Sequence, residues 1–409
     1  MKPMGAIPAG YAADADGKLL IGGRDCGSLI AEAGDTPLFV YDGAMLRARV
    51  AALRAALPAH VGVHFAMKAN PFPPLVALMA SLTDGLDVAS EGEMRGAIAA
   101  GASHISFAGP GKRDRELEAA IAAGVTLNLE SEGEARRALA IGERLGVRPK
   151  LAVRVNPDFD LKGSGMRMGG GAKPFGVDSD RAAALVREIG AGGAEWRGFH
   201  IFAGSQALDA EAIIDTQQQT VALAAKLAEE AGASPPLVNL GGGFGVPYFA
   251  NDVPVDVAAV GAALGETLGD RPEILADSGF AVELGRWLVA EAGVYLCRVI
   301  DRKVSHGETF LVTDGGLHHQ LAASGNFGTV VRRNYPVAVA NRFGATSDEV
   351  ASVVGCLCTP LDRLGDQISL PRADVGDVIA VFMAGAYGAS ASPAAFLGHP
   401  PPAEKMVNG

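Results

Sequence analysis

Eight short apolar runs follow one another between residues 60 and 286, and most of them are separated by stretches with helical spacing. The runs are HVGVHFAMK from residue 60, GLDVAS from 85, HISFAG from 104, TLNLE from 126, LAVRVNP from 151, EWRGFHIF from 195, LVNLGGG from 237 and FAVELG from 280. Segments such as EGEMRGAIAAGA and RDRELEAAIAAG lie between them. A doubly wound sheet would not need eight units in succession, whereas a parallel (β/α)₈ barrel does. We therefore predict a (β/α)₈ barrel.

The pattern changes after residue 290, where β-branched runs occur without long helices. EAGVYLCRVIDRKV, TFLVTDG, VASVVGCLC and DVIAVFMAGAY indicate a smaller β domain, and TPLFVYD at residue 36 is a strand preceding the barrel. We expect an N-terminal segment, 1–40, that joins the β domain, a barrel over 41–288, and a C-terminal β-sandwich or β-barrel domain over 289–409. GHPPPAEK near the C-terminus has the composition of a polyproline-like tail.

Charge and cysteine content exclude several classes of protein. A net charge of −11 disfavours a nucleic-acid surface, and no apolar run reaches the roughly 20 residues that a membrane helix needs. The first 20 residues lack the apolar core and cleavage site of a secretion signal, so we expect a cytoplasmic protein. Four scattered cysteines do not form a disulfide framework, and the pair Cys356 and Cys358 lacks the second half of a zinc motif. No metal is expected.

Polar and glycine residues gather at the predicted C-terminal ends of the barrel strands, where barrel enzymes carry their reactive groups. These positions are Lys68, Asp87, Ser90, Gly109, Glu130, Arg154, Asn156, His200, Phe202, Gly241, Gly242, Gly243, Glu283 and Arg286. Each has an ordinary structural explanation as well. Lys68 could be a solvated rim residue, the glycines a tight turn, and Glu283 with Arg286 an internal ion pair.

Three of these features together fit pyridoxal 5′-phosphate. Its aldehyde needs an amine, which Lys68 offers, and a lysine held among apolar neighbours would be the more nucleophilic. Its phosphate needs backbone N–H groups that glycines such as Gly241 to Gly243 allow to approach. Its ring nitrogen needs a carboxylate such as Glu283.

The motifs HFAMKAN, GLDVASEGE, RVNP, GFHIFAGSQ, NLGGGFG, ELGR, GCLCTPLD and AGAYG extend over nearly the whole chain. Together they resemble the fold-type III pyridoxal-phosphate-dependent decarboxylases, the group of ornithine, arginine and diaminopimelate decarboxylases. GSGMRMGGGAKPFGV, HIFAGSQ, LVTDGGLHH and CTPLD are most similar to the decarboxylases associated with the exosortase A system. The decarboxylases that act on a glutamyl carrier protein are similar to a lesser degree.

The resemblance implies a role for each matching residue and a homodimer with active sites shared between subunits. Lys68 matches the Schiff-base lysine, Glu283 the partner of the ring nitrogen, and Cys358 the proton donor contributed by the partner subunit. Positions expected to bind the cofactor are Lys68, Asp87, Arg154, His200, Phe202, Ser205, Gly241, Gly242, Gly243, Glu283, Arg286 and Tyr387. Thr359, Asp362 and Arg286 are expected to contact the substrate.

Three positions depart from the family pattern, one over the cofactor ring and two that bear on the substrate. Phe202 stands where a histidine is expected over the cofactor ring, with His200 two residues earlier. Thr359 replaces an acid that would face a distal ammonium group, and LAASGNFG lacks the arginine expected for a distal carboxylate. We therefore expect an amino acid that is non-basic or tethered to a carrier protein. A racemase or epimerase, a non-catalytic cofactor-binding protein, and a diaminopimelate or ornithine decarboxylase remain the alternatives.

Overall fold

The computed structural model describes residues 1–325 and 332–409. The strands are β1 Ala12–Ala13, β2 Leu19–Ile21, β3 Arg24–Asp25, β4 Leu38–Asp42, β5 Val61–Ala66, β6 Gly85–Val88, β7 Ile105–Phe107, β8 Thr126–Leu129, β9 Lys150–Asn156, β10 Met166–Arg167, β11 Val177–Asp178, β12 Glu195–Ile201, β13 Gly204–Ser205, β14 Leu237–Gly242, β15 Gly279–Leu284, β16 Gly293–Ser305, β17 Glu308–Thr313, β18 Val337–Val339, β19 Glu349–Val354, β20 Arg363–Leu370, β21 Val378–Val381 and β22 Ala403–Val407. The α-helices are α1 Cys26–Ala33, α2 Gly43–Ala56, α3 Pro73–Leu82, α4 Glu91–Ala99, α5 Asp114–Ala122, α6 Glu132–Leu145, α7 Ser179–Ala191, α8 Ala210–Ala231, α9 Val257–Gly269 and α10 Arg286–Val289.

The chain divides into two compact units. Unit 1 comprises residues 1–49, 246–253 and 286–409, and unit 2 comprises residues 50–245 and 254–285. The division into an N-terminal segment over 1–40, a barrel domain over 41–288 and a β domain over 289–409 stays a prediction. None of the helices in the described part of the chain is both long enough and apolar enough to cross a membrane.

Unit 2 contains the closed parallel barrel that the sequence predicts. The strands pair in the order β5, β6, β7, β8, β9, β12, β14 and β15, and β15 pairs with β5 to close the cylinder. The strand bodies are buried because they are covered on both faces, which explains their nearly continuous apolar runs. The short strand β11 pairs with β9 outside the cylinder.

Side-chain caps fix where two of the barrel helices begin. The hydroxyl of Ser90 accepts a hydrogen bond from the Glu93 amide at the start of α4, and Ser131 accepts one from the Glu134 amide at the start of α6. Each cap satisfies a backbone donor that the first helical turn leaves unpaired. Only residues 89–90 and 130–131 separate these helices from the strands before them, so each strand end lies close to the start of its helix.

Unit 1 is built on a sheet that runs in the order β18, β21, β16, β17, β19 and β20. β4, the strand predicted from TPLFVYD, pairs antiparallel with β16. The interpretation of GHPPPAEK as a polyproline-like tail is wrong from residue 403 onwards, because β22 pairs in parallel with β4. The three prolines precede the strand and therefore remove no hydrogen bond from the ladder.

Candidate active site

Lys68 lies just beyond a barrel strand rather than within it. β5 ends at Ala66, and residues 67–69 form a single 3₁₀ turn in which Met67 and Ala69 are buried and Lys68 is exposed. The Lys68 Nζ lies 5.4 Å from the centre of the Phe202 ring, in cation–π contact. The sequence allowed either a solvated rim residue or an amine held among apolar neighbours. The structure shows a solvent-exposed lysine. The turn therefore places Lys68 at the C-terminal end of the barrel.

Glu283 is buried in β15 and pairs with His200 of β12, two strands that are separated in the cylinder by β14. The His200 Nε2 lies 2.8 Å from the Glu283 carboxylate, and both side chains are almost fully shielded from solvent. Burial would raise the pKa of Glu283, but the hydrogen bond and positive charge of His200, with a contribution from Lys68, lower that pKa to about 2. Glu283 is therefore a carboxylate at neutral pH, and His200 is the side chain that holds it.

A second acid lies beside this pair. Asp87 is buried on β6, and its carboxylate lies 3.3 Å from the Nδ1 of His64 on β5. Burial is the largest single effect on the pKa of His64 and lowers it, but the charge and hydrogen-bonding contribution of Asp87, together with the charges of Glu283 and Asp84, raise it overall. Neither carboxylate oxygen of Asp87 accepts a hydrogen bond from a described residue. His64 is the residue opposite Glu283 where β5 pairs with β15. No sequence motif marked His64 as a site residue.

Arg154 is engaged by a buried acid. Its Nη1 lies 2.8 Å from Glu130, and the two side chains are 9% and 2% exposed. Glu130 also accepts hydrogen bonds from the amides of Gly109 and Gly176. Burial raises the pKa of Glu130, while the charge of Arg154 is the largest of the effects that lower it overall. This ion pair supports a structural role for Arg154, and its predicted contact with the cofactor stays a prediction.

The glycines after β14 are required by close packing. A Cβ on Gly242 would lie 2.1 Å from the Glu283 carbonyl oxygen, and one on Gly243 would lie 2.4 Å from that of Gly204. The Gly241 amide donates to the Asn239 side chain, so that N–H already has a partner. Ser205 lies in β13, which pairs with β10. Packing alone explains why Gly242 and Gly243 have no side chain, and phosphate binding by the triplet stays a prediction.

Within unit 1, Arg286 is surrounded by tyrosines. Its Nη1 lies 3.1 Å from the Tyr248 hydroxyl, and its guanidinium lies 4.7 Å from the centre of the Tyr387 ring. Tyr335 stacks on Tyr248 with ring centres 4.7 Å apart. The Nε of Arg286 is buried without a hydrogen-bond partner among the described residues. Sequence reasoning missed Tyr248 and Tyr335, because no motif gives either tyrosine a role.

Cys356 and Cys358 have different surroundings, although they are two residues apart. Both follow β19, which ends at Val354, so neither lies in a strand. Cys358 is exposed, whereas Cys356 is partly buried, with its Sγ 3.9 Å from both ring nitrogens of His399. Burial raises the pKa of Cys356 to about 11. The structure therefore favours Cys358 as the accessible thiol.

The substrate-contact positions lie in the same turn. The Asp362 carboxylate is buried and accepts hydrogen bonds from the amides of Leu317 at 2.7 Å and Leu357 at 2.9 Å. Burial raises its pKa. Thr359 is partly exposed, and its hydroxyl accepts from the Leu361 amide. Of the segment LAASGNFG, the first five residues form a 3₁₀ turn and its end, and the last three lie outside the described residues.

A closed barrel with a lysine at the C-terminal end of one strand and a buried carboxylate on the last strand has the groups that an enzyme dependent on pyridoxal phosphate needs. The chain belongs to the pyridoxal-dependent decarboxylases, because residues 44–290 match the family model described as the pyridoxal binding domain of that family. It is an amino-acid carboxy-lyase that depends on pyridoxal phosphate.

Similar proteins agree on the chemistry and differ in substrate. L-glutamyl-[BtrI acyl-carrier protein] decarboxylase of Niallia circulans is 35% identical, over 90% of this chain and 88% of that protein. Diaminopimelate decarboxylase of Archaeoglobus fulgidus is 32% identical over 96% of this chain and 93% of the relative. The crystal structure of diaminopimelate decarboxylase from M. jannaschii with L-lysine has a TM-score of 0.87 at 26% identity, covering 98% and 93% of the two chains.

Polar atoms in each unit fit the cofactor. In unit 2, both oxygens of Asp87 and the Nδ1 of His200 are buried without hydrogen-bond partners among the described residues. In unit 1, the Nε of Arg286 is a buried cationic donor in the same condition. Buried polar atoms are rarely left unsatisfied in a protein on its own, so the polar ring of the cofactor would offer partners to Asp87 and His200, and a phosphate group would separately offer one to Arg286.

Proposed function

We propose that the chain removes the α-carboxylate of an amino acid that is non-basic or tethered to a carrier protein, with Lys68 as the amine that holds the cofactor. Asp87, Arg154, His200, Phe202 and Glu283 would surround the cofactor ring. Ser205, Gly241 to Gly243, Arg286 and Tyr387 would bind its phosphate. Affiliation with the exosortase-associated subgroup is proposed on the motifs alone.

When bound, pyridoxal phosphate supplies an electron sink for the electron pair left by the departing carboxylate. The chain's own residues hold and move protons around that step. Glu283 is ionised because its pKa is lowered, so it can keep a proton on a nitrogen that faces it. His200 holds the Glu283 carboxylate in place. We assign to Cys358 the return of a proton to the α-carbon, since its thiol is exposed.

The observation that carries the substrate proposal is the turn at residues 355–362. A basic substrate needs an available carboxylate opposite its distal ammonium group. Position 359 is a threonine, and both oxygens of Asp362 already accept backbone hydrogen bonds. The Niallia relative, whose name specifies a glutamyl group on an acyl-carrier protein, supports a carrier-bound substrate.

Release of carbon dioxide from carboxyl-labelled substrates tests the proposal. The panel contains L-glutamate, a glutamyl-loaded acyl-carrier protein, meso-diaminopimelate and L-ornithine. We expect a non-basic or carrier-bound substrate to exceed both diamino acids in kcat/KM by about 100-fold or more, since an unpaired charge is rejected strongly.

The variant Thr359→Glu is the matched control, and it should raise turnover of L-ornithine because it restores a carboxylate. Efficient turnover of L-ornithine or meso-diaminopimelate by the wild-type chain would overturn the substrate proposal. Loss of optical activity without carbon dioxide release would instead indicate a racemase.

A further inference from the structure

Unit 1 brings together three metal-binding side chains from separate segments of the chain. His318 follows β17, Cys356 follows β19, and His399 precedes β22. One potential ligand atom from each lies within 4.8 Å of the other two. The nearest measured approach is 3.9 Å, from the Cys356 Sγ to the ring nitrogens of His399. The cluster contains none of the residues assigned above to the cofactor or the substrate.

His318 is the unusual member of the cluster. Its side chain is fully buried, yet neither ring nitrogen has a hydrogen-bond partner among the described residues. Its ring centre lies 5.1 Å from that of His399. A buried imidazole without a partner costs free energy unless another group binds it. A metal ion would satisfy one nitrogen directly.

Buried hydrogen bonds hold the three segments in register. The Asp362 carboxylate accepts from the amides of Leu317 and Leu357, which are the immediate neighbours of His318 and Cys356. His319 uses both ring nitrogens, at 3.0 Å from the Tyr295 hydroxyl and 3.0 Å from the carbonyl of Pro400, the residue after His399. His319 is therefore not a ligand. It and Asp362 are positioning residues that place the three ligands before any metal binds.

We propose that His318, Cys356 and His399 form a zinc site. Thiolate and imidazole ligands select zinc over magnesium or calcium. Tetrahedral zinc with ordinary bond lengths separates nitrogen and sulfur ligands by about 3.6 Å, so the observed approach to His399 needs only a small rotation. Binding exchanges the Cys356 S–H bond for a sulfur–zinc bond and releases the proton to solvent. Three protein ligands leave a fourth position for water or a carboxylate ligand.

Zinc at this position would brace the turn that carries Cys358. Cys356 lies two residues before Cys358, and His318 and His399 come from the segments against which that turn packs. The site is separate in chemistry from the decarboxylation, since none of its ligands is proposed to contact substrate or cofactor. Its presence can therefore be established without measuring activity.

The test is a titration of the untagged holoenzyme, stripped of metal by a chelator, with zinc in competition with a chromophoric chelator. We expect one equivalent per chain. Cys356→Ala and His399→Ala should each weaken binding by more than about 100-fold, since loss even of a residue outside the ligand set costs roughly 10- to 100-fold. Cys358→Ala and His306→Ala, which changes an exposed turn histidine, should bind zinc as the wild type does.

Cobalt substitution provides a second measurement that does not depend on affinity. The cobalt protein should show the near-ultraviolet charge-transfer band of a thiolate ligand, and Cys356→Ser should lose that band while Cys358→Ala keeps it. His318 is fully buried, and a substitution there would disturb packing, so the partly exposed Cys356 and His399 carry the test. Absence of tight zinc binding in the wild type, or binding that both Cys356→Ala and His399→Ala retain, would overturn the proposal.

Discussion

At the scale of single residues, the sequence predicted which kinds of side chain form the site but not which residues surround them. Lys68 and Glu283 lie at the C-terminal ends of barrel strands. Apolar runs that alternate with helical stretches are enough to predict those positions. That His200 would be the partner of Glu283 could not be predicted, because 83 residues separate them. Cys356 and Cys358 are equivalent by spacing, and only contacts with distant segments distinguish them.

The first prediction concerns the pH dependence that Glu283 confers. Its pKa is lowered from 4.5 to about 2 in the folded chain, so its contribution to stability is complete above pH 4.5 and is lost as the pH falls towards 2. Glu283→Gln has no such titration, and its free energy of unfolding should decrease less over that interval. Urea unfolding at several pH values measures the difference, and parallel profiles for the two proteins would contradict the assignment.

The second prediction separates the two cysteines by activity. Cys358→Ala should slow amine formation by about 100-fold or more, since a positioned proton donor typically contributes that much. Cys356→Ala should slow it far less, because its thiol is partly buried, donates to the Asp314 carbonyl and lies against His399. Product analysis by mass spectrometry, with zinc-free enzyme in both cases, provides the comparison. Equal effects of the two substitutions would remove the proton-donor assignment from Cys358.

At the scale of secondary-structure elements, all eight barrel strands were predicted to within a few residues, because each is an apolar run covered on both faces. The first strand, β5, ends two residues earlier than its apolar run does. The run HVGVHFAMK continues as an apolar pattern into the 3₁₀ turn, so composition does not show that the strand stops at Ala66. The C-terminal strand β22 was missed because three prolines precede it and its partner β4 lies near the start of the chain.

The third prediction concerns a buried ion pair that joins the start of α5 to α6. The Lys112 Nζ lies 2.6 Å from Glu134, also donates to the carbonyls of Gly109 and Asn128, and is 1% exposed. Lys112→Met leaves the Glu134 carboxylate buried without its partner. We expect the free energy of unfolding to fall by about 3–5 kcal/mol.

An exposed pair provides the control for that substitution. Arg144 and Glu118 form a salt bridge with both side chains largely in solvent. Arg144→Ala should therefore change the free energy of unfolding far less than Lys112→Met does. Urea denaturation of both variants measures this, and a loss from Lys112→Met no larger than that from Arg144→Ala would show that the buried pair is not needed for stability.

At the scale of the whole molecule, the barrel with its separate β unit was predictable because strand–helix alternation stops abruptly near residue 290. The sequence did not predict that the chain leaves the barrel unit between two barrel strands and then returns to it. Residues 246–253 belong to unit 1 although they follow the barrel strand β14, and no change of composition marks that excursion. The substrate is the least predictable feature, because it depends on a few side chains whose contacts are set by the fold.

The fourth prediction tests the proposed homodimer with shared active sites. Lys68→Ala and Cys358→Ala chains should each be inactive alone. If each site takes Lys68 from one subunit and Cys358 from the other, half of the dimers formed on mixing are mixed, and each has one intact site, so about a quarter of wild-type activity returns. Activity of unfolded and refolded mixtures measures this. No recovery in a mixture whose mass in solution is that of a dimer would contradict sharing.

The parallel pairing of β22 with β4 has a consequence for biosynthesis. β4 can find one neighbour, β16, only when residue 293 and its successors exist, and the other only when residue 407 has left the ribosome. By then every segment of the cylinder has been translated. The nascent chain therefore carries an unpaired, apolar strand for most of its synthesis. We expect a chaperone to bind around residues 38–42 during that time.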